Sequence, residues 1–134
     1  MVSKDVLKTL VSKLGQVFDK TIQIHLADGN YYLPSVPEVK EILDDDDLNL
    51  TKYIPEVSDC DDYALLLKAE FVVRQNMYRK ESPYCFGEVW GEFPTPHAIN
   101  LFIDNNHQVW FVEPQTDEIF PLSEKIKSIW MIKI

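Results

Sequence analysis

The chain has 134 residues and a mass of 15.6 kDa, which allows one domain with a real core, spanning 1–134, and leaves too little for two. Its formal net charge of -9 is concentrated around Asp44 to Asp47 and Asp59 to Asp62. No Lys/Arg patch is available to follow a phosphate backbone, so a nucleic-acid partner is not expected. No apolar segment follows a basic cluster at the start and no stretch approaches bilayer-spanning length. The expectation is a cytoplasmic protein without membrane contact, and phage-associated delivery fits the same features. Cys60 and Cys85 are read as thiols, since nothing else suggests a disulfide scaffold.

Val6, Leu7, Leu10, Val11, Leu14, Val17 and Phe18 recur at helical spacing, with Ser3 as the expected cap and Gly15 weakening the last turn. A short strand is expected over Thr21 to Leu26, followed by the Asp28-Gly29 turn. Ser35 or Pro37 then opens a short helix carrying Val39, Ile42 and Leu43. The Asp44 to Asp47 run lies at the wrong end of that helix for its dipole, so it is either a solvated exit or a loop with a separate duty.

The next helix runs from about Cys60 to Tyr78. Asp59 or Ser58 caps it, and Asp61 and Asp62 fall in its first turn. Tyr63, Leu66, Leu67 and Phe71 make it apolar on more than one side. The period then changes to 2, with strands expected at Tyr84 to Trp90, His97 to Asp104, Gln108 to Glu113, Glu118 to Leu122 and Ser128 to Ile134. Helices followed by a meandering antiparallel sheet predict an α+β domain with the Cys60 helix lying on the sheet.

The chemistry is expected at Cys60. A cysteine in the first turn of a helix has its thiolate stabilised by free amides and the dipole, although Asp61 and Asp62 oppose the negative charge. Of the three histidines, His107 reads as a turn tip, and His25 has no evident acidic partner. His97 begins the strand HAINLFI, where it shares a face with Ile99, Leu101 and Ile103. The following strand puts Val109, Phe111 and Glu113 on one face. If Ile99 lies opposite Phe111, His97 lies opposite Glu113; a shift of two makes them diagonal neighbours, and a shift of one separates them.

A helix covering that face would bring Cys60, His97 and Glu113 together as nucleophile, base and orienting carboxylate for thiol acyl transfer or hydrolysis. The alternative is an inert Cys60 beside an ordinary cross-strand pair. The Cys60 amide, Gln23 or Gln115 could serve a developing oxyanion. Asp61, Asp62, Gln115 and Asp117 offer oxygen ligands that suit Ca²⁺ better than zinc, provided the Pro114 loop folds back over the helix start. Trp90, Trp110, Trp130, Tyr63 and Tyr84 read as core or cleft walls, and Glu92 to Thr95 as a cleft rim.

The segments SDCDDYALLLKAEF, FGEVWG, PHAINLFID and VWFVEPQTDEIF, in that order, cover most of residues 56 to 120. Together they resemble the papain-like C-terminal domain of the Marasmius oreades agglutinin and its bacterial and phage relatives. The resemblance implies a papain-like cysteine protease fold, with the nucleophile helix among N-terminal helices packed on a C-terminal antiparallel sheet. It implies Cys60, His97 and Glu113 as the catalytic three, and calcium dependence with Asp61, Asp62, Gln115 and Asp117 as ligands. The agglutinin's sugar-binding β-trefoil has no room in this chain, so glycan binding is not carried over. The TPHAIN segment also lacks the glycine that precedes the histidine in many relatives.

The expected function is a calcium-dependent cysteine peptidase or related thiol hydrolase acting on a peptide or isopeptide bond of a protein or peptide substrate. The alternatives are transglutaminase-like acyl transfer and a catalytically inactive calcium-binding or protein-interaction module.

Overall fold

The computed structural model describes residues 1–46 and 59–134. In chain order it contains α1 (Ser3–Leu14), β1 (Phe18–His25), α2 (Val36–Asp45), α3 (Cys60–Met77), β2 (Phe86–Glu92), β3 (Pro96–Ile103), β4 (Val109–Glu113), β5 (Glu118–Pro121) and β6 (Ser128–Lys133). Asp47 of the acidic run and the cap candidate Ser58 lie outside the described residues. Among the described residues no helix is long and apolar enough to cross a membrane.

Local chemistry accounts for the helices. α1 buries Val6, Leu10 and Leu14 along one stripe and stops at Gly15, where a 3-10 turn over 15–17 leads into β1. Ser3 is its first helical residue, and Val2 stands at the cap without a side-chain bond. α2 has a capping box: Ser35 Oγ accepts from the Glu38 N–H at 3.1 Å, and Glu38 Oε2 accepts from the Ser35 N–H at 3.4 Å. Its acidic C-terminal end is tied to α3 by Arg74, whose Nη1 lies 3.3 Å from Asp45. At the start of α3 the Asp62 carboxylate accepts from the Asp59 backbone N–H at 3.2 Å.

The six strands form one sheet in the order β1-β6-β2-β3-β4-β5. β2 to β5 are the expected antiparallel meander. β6 does not extend it. The strand returns between β1 and β2, pairing antiparallel with β2 and parallel with β1. Gly87 and Gly91 of β2 lie where the Lys133 and Ser128 carbonyls of β6 occupy the space a Cβ would need.

Both faces of the sheet are covered. α1 packs with Val89, Ile99, Leu101, Phe111, Ile129 and Ile132 on one face. α2 and α3 pack with Phe86, Phe102 and Val112 on the other, where Phe71 stacks on Phe86 at 3.7 Å between centroids. These three layers correct the expected papain-like arrangement of N-terminal helices on a C-terminal antiparallel sheet. The sheet is mixed, its edge strand β1 comes from the N-terminal part, and the helices are divided between its two faces. The parallel β1–β6 pair joins strands with no local signal for each other, since such pairs need long connections.

Candidate functional site

His97 stands at the second residue of β3 and Glu113 at the last of β4. The ladder pairs Leu101 with Phe111 and Asn100 with Val112, so its next step sets Glu113 beside Ile99 and makes His97 a diagonal neighbour. The two-residue shift is therefore the observed register. His97 Nε2 lies 3.0 Å from Glu113 Oε2 and 3.2 Å from Oε1, and both side chains are about one-fifth exposed. The pair opens into a cavity of about 140 Å³, lined also by Phe93, Ile99, Glu118, Phe120 and Lys125. Phe93 comes from the segment expected to form the rim.

Cys60 is the half-buried first residue of α3. Its position follows from how α3 is anchored. Asn100 Nδ2 donates to the Ala64 carbonyl at 2.9 Å, Lys68 Nζ donates to the Phe86 carbonyl at 2.7 Å, and Phe71 stacks on Phe86, which pairs with Phe102. The helix thus runs along β3 in the strand's own direction. One turn back from Ala64, about 6 Å, Cys60 lies toward Ala98, the neighbour of His97. The expectation that the helix covers the His97 face needs correcting. α3 packs on the side of Asn100 and Phe102, whereas Ile99, which lines the His97–Glu113 cavity, belongs to the core on the α1 side. Cys60 and His97 therefore lie toward the same end of β3, with α3 and the His97–Glu113 cavity on opposite faces of the sheet.

Three buried or half-buried polar groups beneath α3 were missed from sequence. Asn100 is fully buried and also donates to the Gly87 carbonyl at 3.0 Å. Glu88, its partner across the ladder, is buried; loss of water raises its carboxyl pKa, against the pull of Lys133 and Lys68. Burial lowers the pKa of the Lys68 ammonium. A polar residue inside the otherwise apolar run Ala98 to Ile103 was the available signal for Asn100, because a strand covered on both faces reads as a continuous apolar run.

The four expected metal ligands fall into two groups. Asp61 and Asp62 join Asp59, with carboxylate oxygens of all three within 4.8 Å of one another. Asp117 lies in the turn after β4, where its N–H donates to the Glu113 carbonyl at 2.8 Å and its φ is 62°. Burial, followed by the charges of Asp46 and Asp44, pushes its carboxyl up to about 6. Gln115 belongs to the same turn and is half-buried. Gln23, an oxyanion candidate, lies 3.5 Å from His25 Nε2 at an exposed position of β1.

Asp117 supplies a pH prediction. Its folded pKa exceeds the ordinary 3.8, so the native state holds the proton more tightly and its contribution to stability is lost as pH rises from about 4 to about 6. Asp117→Asn keeps the shape and tolerates positive φ. It should raise the melting temperature more at pH 7 than at pH 4, and equal shifts at both pH values in thermal melts would contradict this.

Cys85 plays no part in the site. It is fully buried before β2, and loss of water pushes its thiol up to about 12.

The agglutinin C-terminal family model matches residues 31–119. The chain belongs to that family. No curated protein matches the sequence. Among solved structures, the PSL1a–E64 complex superposes with a TM-score of 0.87 at 20% identity, covering 100% of this chain and 51% of that one. Polyporus squamosus lectin bound to a human-type influenza-binding epitope superposes with a TM-score of 0.82 at 22% identity, covering 100% and 49%. The family member described here therefore spans about half the length of these solved chains, and at such identities the likeness is one of fold. These relatives correct the expected classification as a papain-like thiol protease or hydrolase and as a calcium-dependent, metal-binding protein: the family is an agglutinin family and the matching structures include PSL1a and a lectin.

Proposed function

We propose that Cys60, His97 and Glu113 form a thiol site that acts on an amide carbonyl of a peptide or isopeptide. The reading rests on the site, because one fold carries many functions. The observation that carries it is the His97–Glu113 pair: the carboxylate engages Nε2 and leaves Nδ1 as the ring nitrogen for the thiol proton. The reading requires the imidazole to reach the thiol around the start of β3. There Nδ1 takes the proton, sulfur attacks the carbonyl carbon, and the Cys60 backbone N–H at the start of α3 faces the oxyanion. The imidazolium, stabilised by Glu113, then protonates the departing amine as the C–N bond breaks. Water or a second amine opens the thioester, and product analysis with an added amine tells the two apart.

The donor set of Asp59, Asp61 and Asp62 suits a hard cation such as Ca²⁺, which when bound would offset the negative charge beside Cys60.

The test is mass mapping after exposure to iodoacetamide and to E64, the compound held by PSL1a. Native protein should be modified at Cys60 and spared at Cys85, Cys60→Ala should take up neither reagent, and Ca²⁺ should speed the reaction less in Asp61→Asn. Modification of Cys85 alone overturns the proposal.

A second reading follows from the aromatic and polar lining of the cavity, where Phe93 and Phe120 flank His97, Glu113, Glu118 and Lys125. Such a lining also suits a glycan, the ligand class reported for the Polyporus squamosus lectin. Glycan binding that survives Cys60→Ala but fails in His97→Ala, with no thiol modification, would favour it.

A further inference from the structure

The sheet face that carries α3 continues beyond the helix. α3 packs over β3 and β2, whereas on the β6 and β1 part of the same face Gln23, His25, Trp130 and Lys133 are exposed. Trp90 and Glu92 share that face with Phe86, since they lie at even steps from it along β2. The register shift between Trp90 and Gly91 makes Trp130 the extra residue of β6, beside the Met131 that pairs with Trp90. Trp130 is 37% exposed, and its indole is tied down: Nε1 donates to Ser128 Oγ at 2.9 Å, and Ser128 Oγ donates to Glu92 Oε1 at 2.9 Å. Glu92 makes no ion pair among the described residues, and its Oε2 accepts no hydrogen bond among them.

We infer that Trp130 and Glu92 form a subsite for a cationic side chain, lysine or arginine, of the peptide on which Cys60 acts. The inference rests on the thiol reading of Cys60 and names the class of its substrate. A guanidinium or ammonium over the indole face is attracted by the ring's quadrupole, and the open carboxylate oxygen supplies the counter-charge. Ser128 fixes indole and carboxylate relative to each other, so the cation meets a preorganised pair and little side-chain freedom is lost on binding.

Position and charge point the same way. Trp90 pairs with Ala98, toward which Cys60 lies, and β6 is the strand beyond β2. Two strand spacings, about 10 Å, therefore separate Trp130 from that end of β3. An extended peptide covers this in about three residues. Asp59, Asp61 and Asp62 in and before the first turn of α3 add negative potential beside the same end of the sheet. Lys133 is the exposed cation on this part of the face, and it stands opposite Glu88, on the far side of Trp90 from Glu92. A neutral sugar can also stack on an indole, but it leaves Glu92 without a counter-charge, and an acidic side chain is repelled.

The experiment compares arginine with citrulline, its neutral isostere. Alanine peptides ending in a chloromethyl ketone carry either residue at the first, second or third place from the electrophile, and mass spectrometry reads the alkylation rate of Cys60. At one place arginine should react about tenfold faster. That ratio should fall toward one in Glu92→Gln and at high salt, and Glu92→Lys should reverse it in favour of glutamate at that place. Binding is read separately in Cys60→Ala with an alanine pentapeptide holding a central arginine. The NMR resonance of the Trp130 indole N–H, assigned through Trp130→Phe, should shift with this peptide and not with its citrulline counterpart. Equal rates for arginine and citrulline while Cys60 reacts, or an arginine preference that Glu92→Gln leaves intact, overturns the subsite alone. A Cys60 that takes none of the probes overturns the thiol reading, and the indole shift then decides the subsite by itself. A shift caused by galactose and by neither peptide overturns the cation subsite in favour of a sugar.

Discussion

Gly87→Ala should cost at least about 3 kcal/mol and lower the melting temperature sharply, because the added Cβ meets backbone that no rotamer change can move aside. Its neighbours would be the Lys133 carbonyl, the Ile134 Cα at 2.9 Å and the Ile134 Cγ1 at 2.8 Å. Relief requires β6 to part from β2, and with β6 goes β1, which among the described residues pairs with no other strand of the sheet. Gly15→Ala is the matched control. It has open space around it and a helical φ of -54°, so alanine there should stabilise by about 0.5–1 kcal/mol. Denaturant melts of the two variants check both signs, and a mild Gly87→Ala phenotype would show that β6 can shift without cost.

His97→Ala should slow acylation of Cys60 by about 10²- to 10⁴-fold, the range that general acid–base assistance supplies. The ring is half-buried in an open cavity, so the melting temperature should change little. Glu113→Gln should fall between wild type and His97→Ala, because an amide oxygen can still orient the ring but cannot offset the charge of an imidazolium. The three rates, measured by mass spectrometry with one electrophilic peptide, separate a base and its positioning carboxylate from an ordinary cross-strand pair. Equal rates in all three proteins would mean that Cys60 reacts without them.

The elements were legible in the sequence where one local rule governs them. Ser35, followed three residues later by Glu38, announces α2. The alternation of Ile99, Leu101 and Ile103 announces a face of β3. The expected strand set differs from the observed one only by a few residues at the ends. Register was legible to within two residues, since burial fixes which face a side chain takes but cannot by itself choose between pairings of equal parity.

Relations between distant elements were not legible. Nothing in Phe18–His25 specifies Ser128–Lys133 as its parallel partner. The alternation of β3 also predicts that its one apolar face receives the Cys60 helix. In the structure that face receives α1, and α3 takes the opposite one through Asn100 and Phe102. Buried Asn100 was the residue that carried this information, because a strand polar on one side would have shown it to water.

The placement of β6 has a further consequence, in time. β6 is the last strand in chain order, yet it lies second from the sheet's edge, and the Ile134 carbonyl accepts from the Ala27 N–H and the Tyr31 hydroxyl near the other end of the chain. While the chain is being synthesised, the four-stranded meander can assemble as its strands appear, but β1 has no strand to join until Ser128–Lys133 arrives. Its docking is a long-range closure, the slow kind of step in folding.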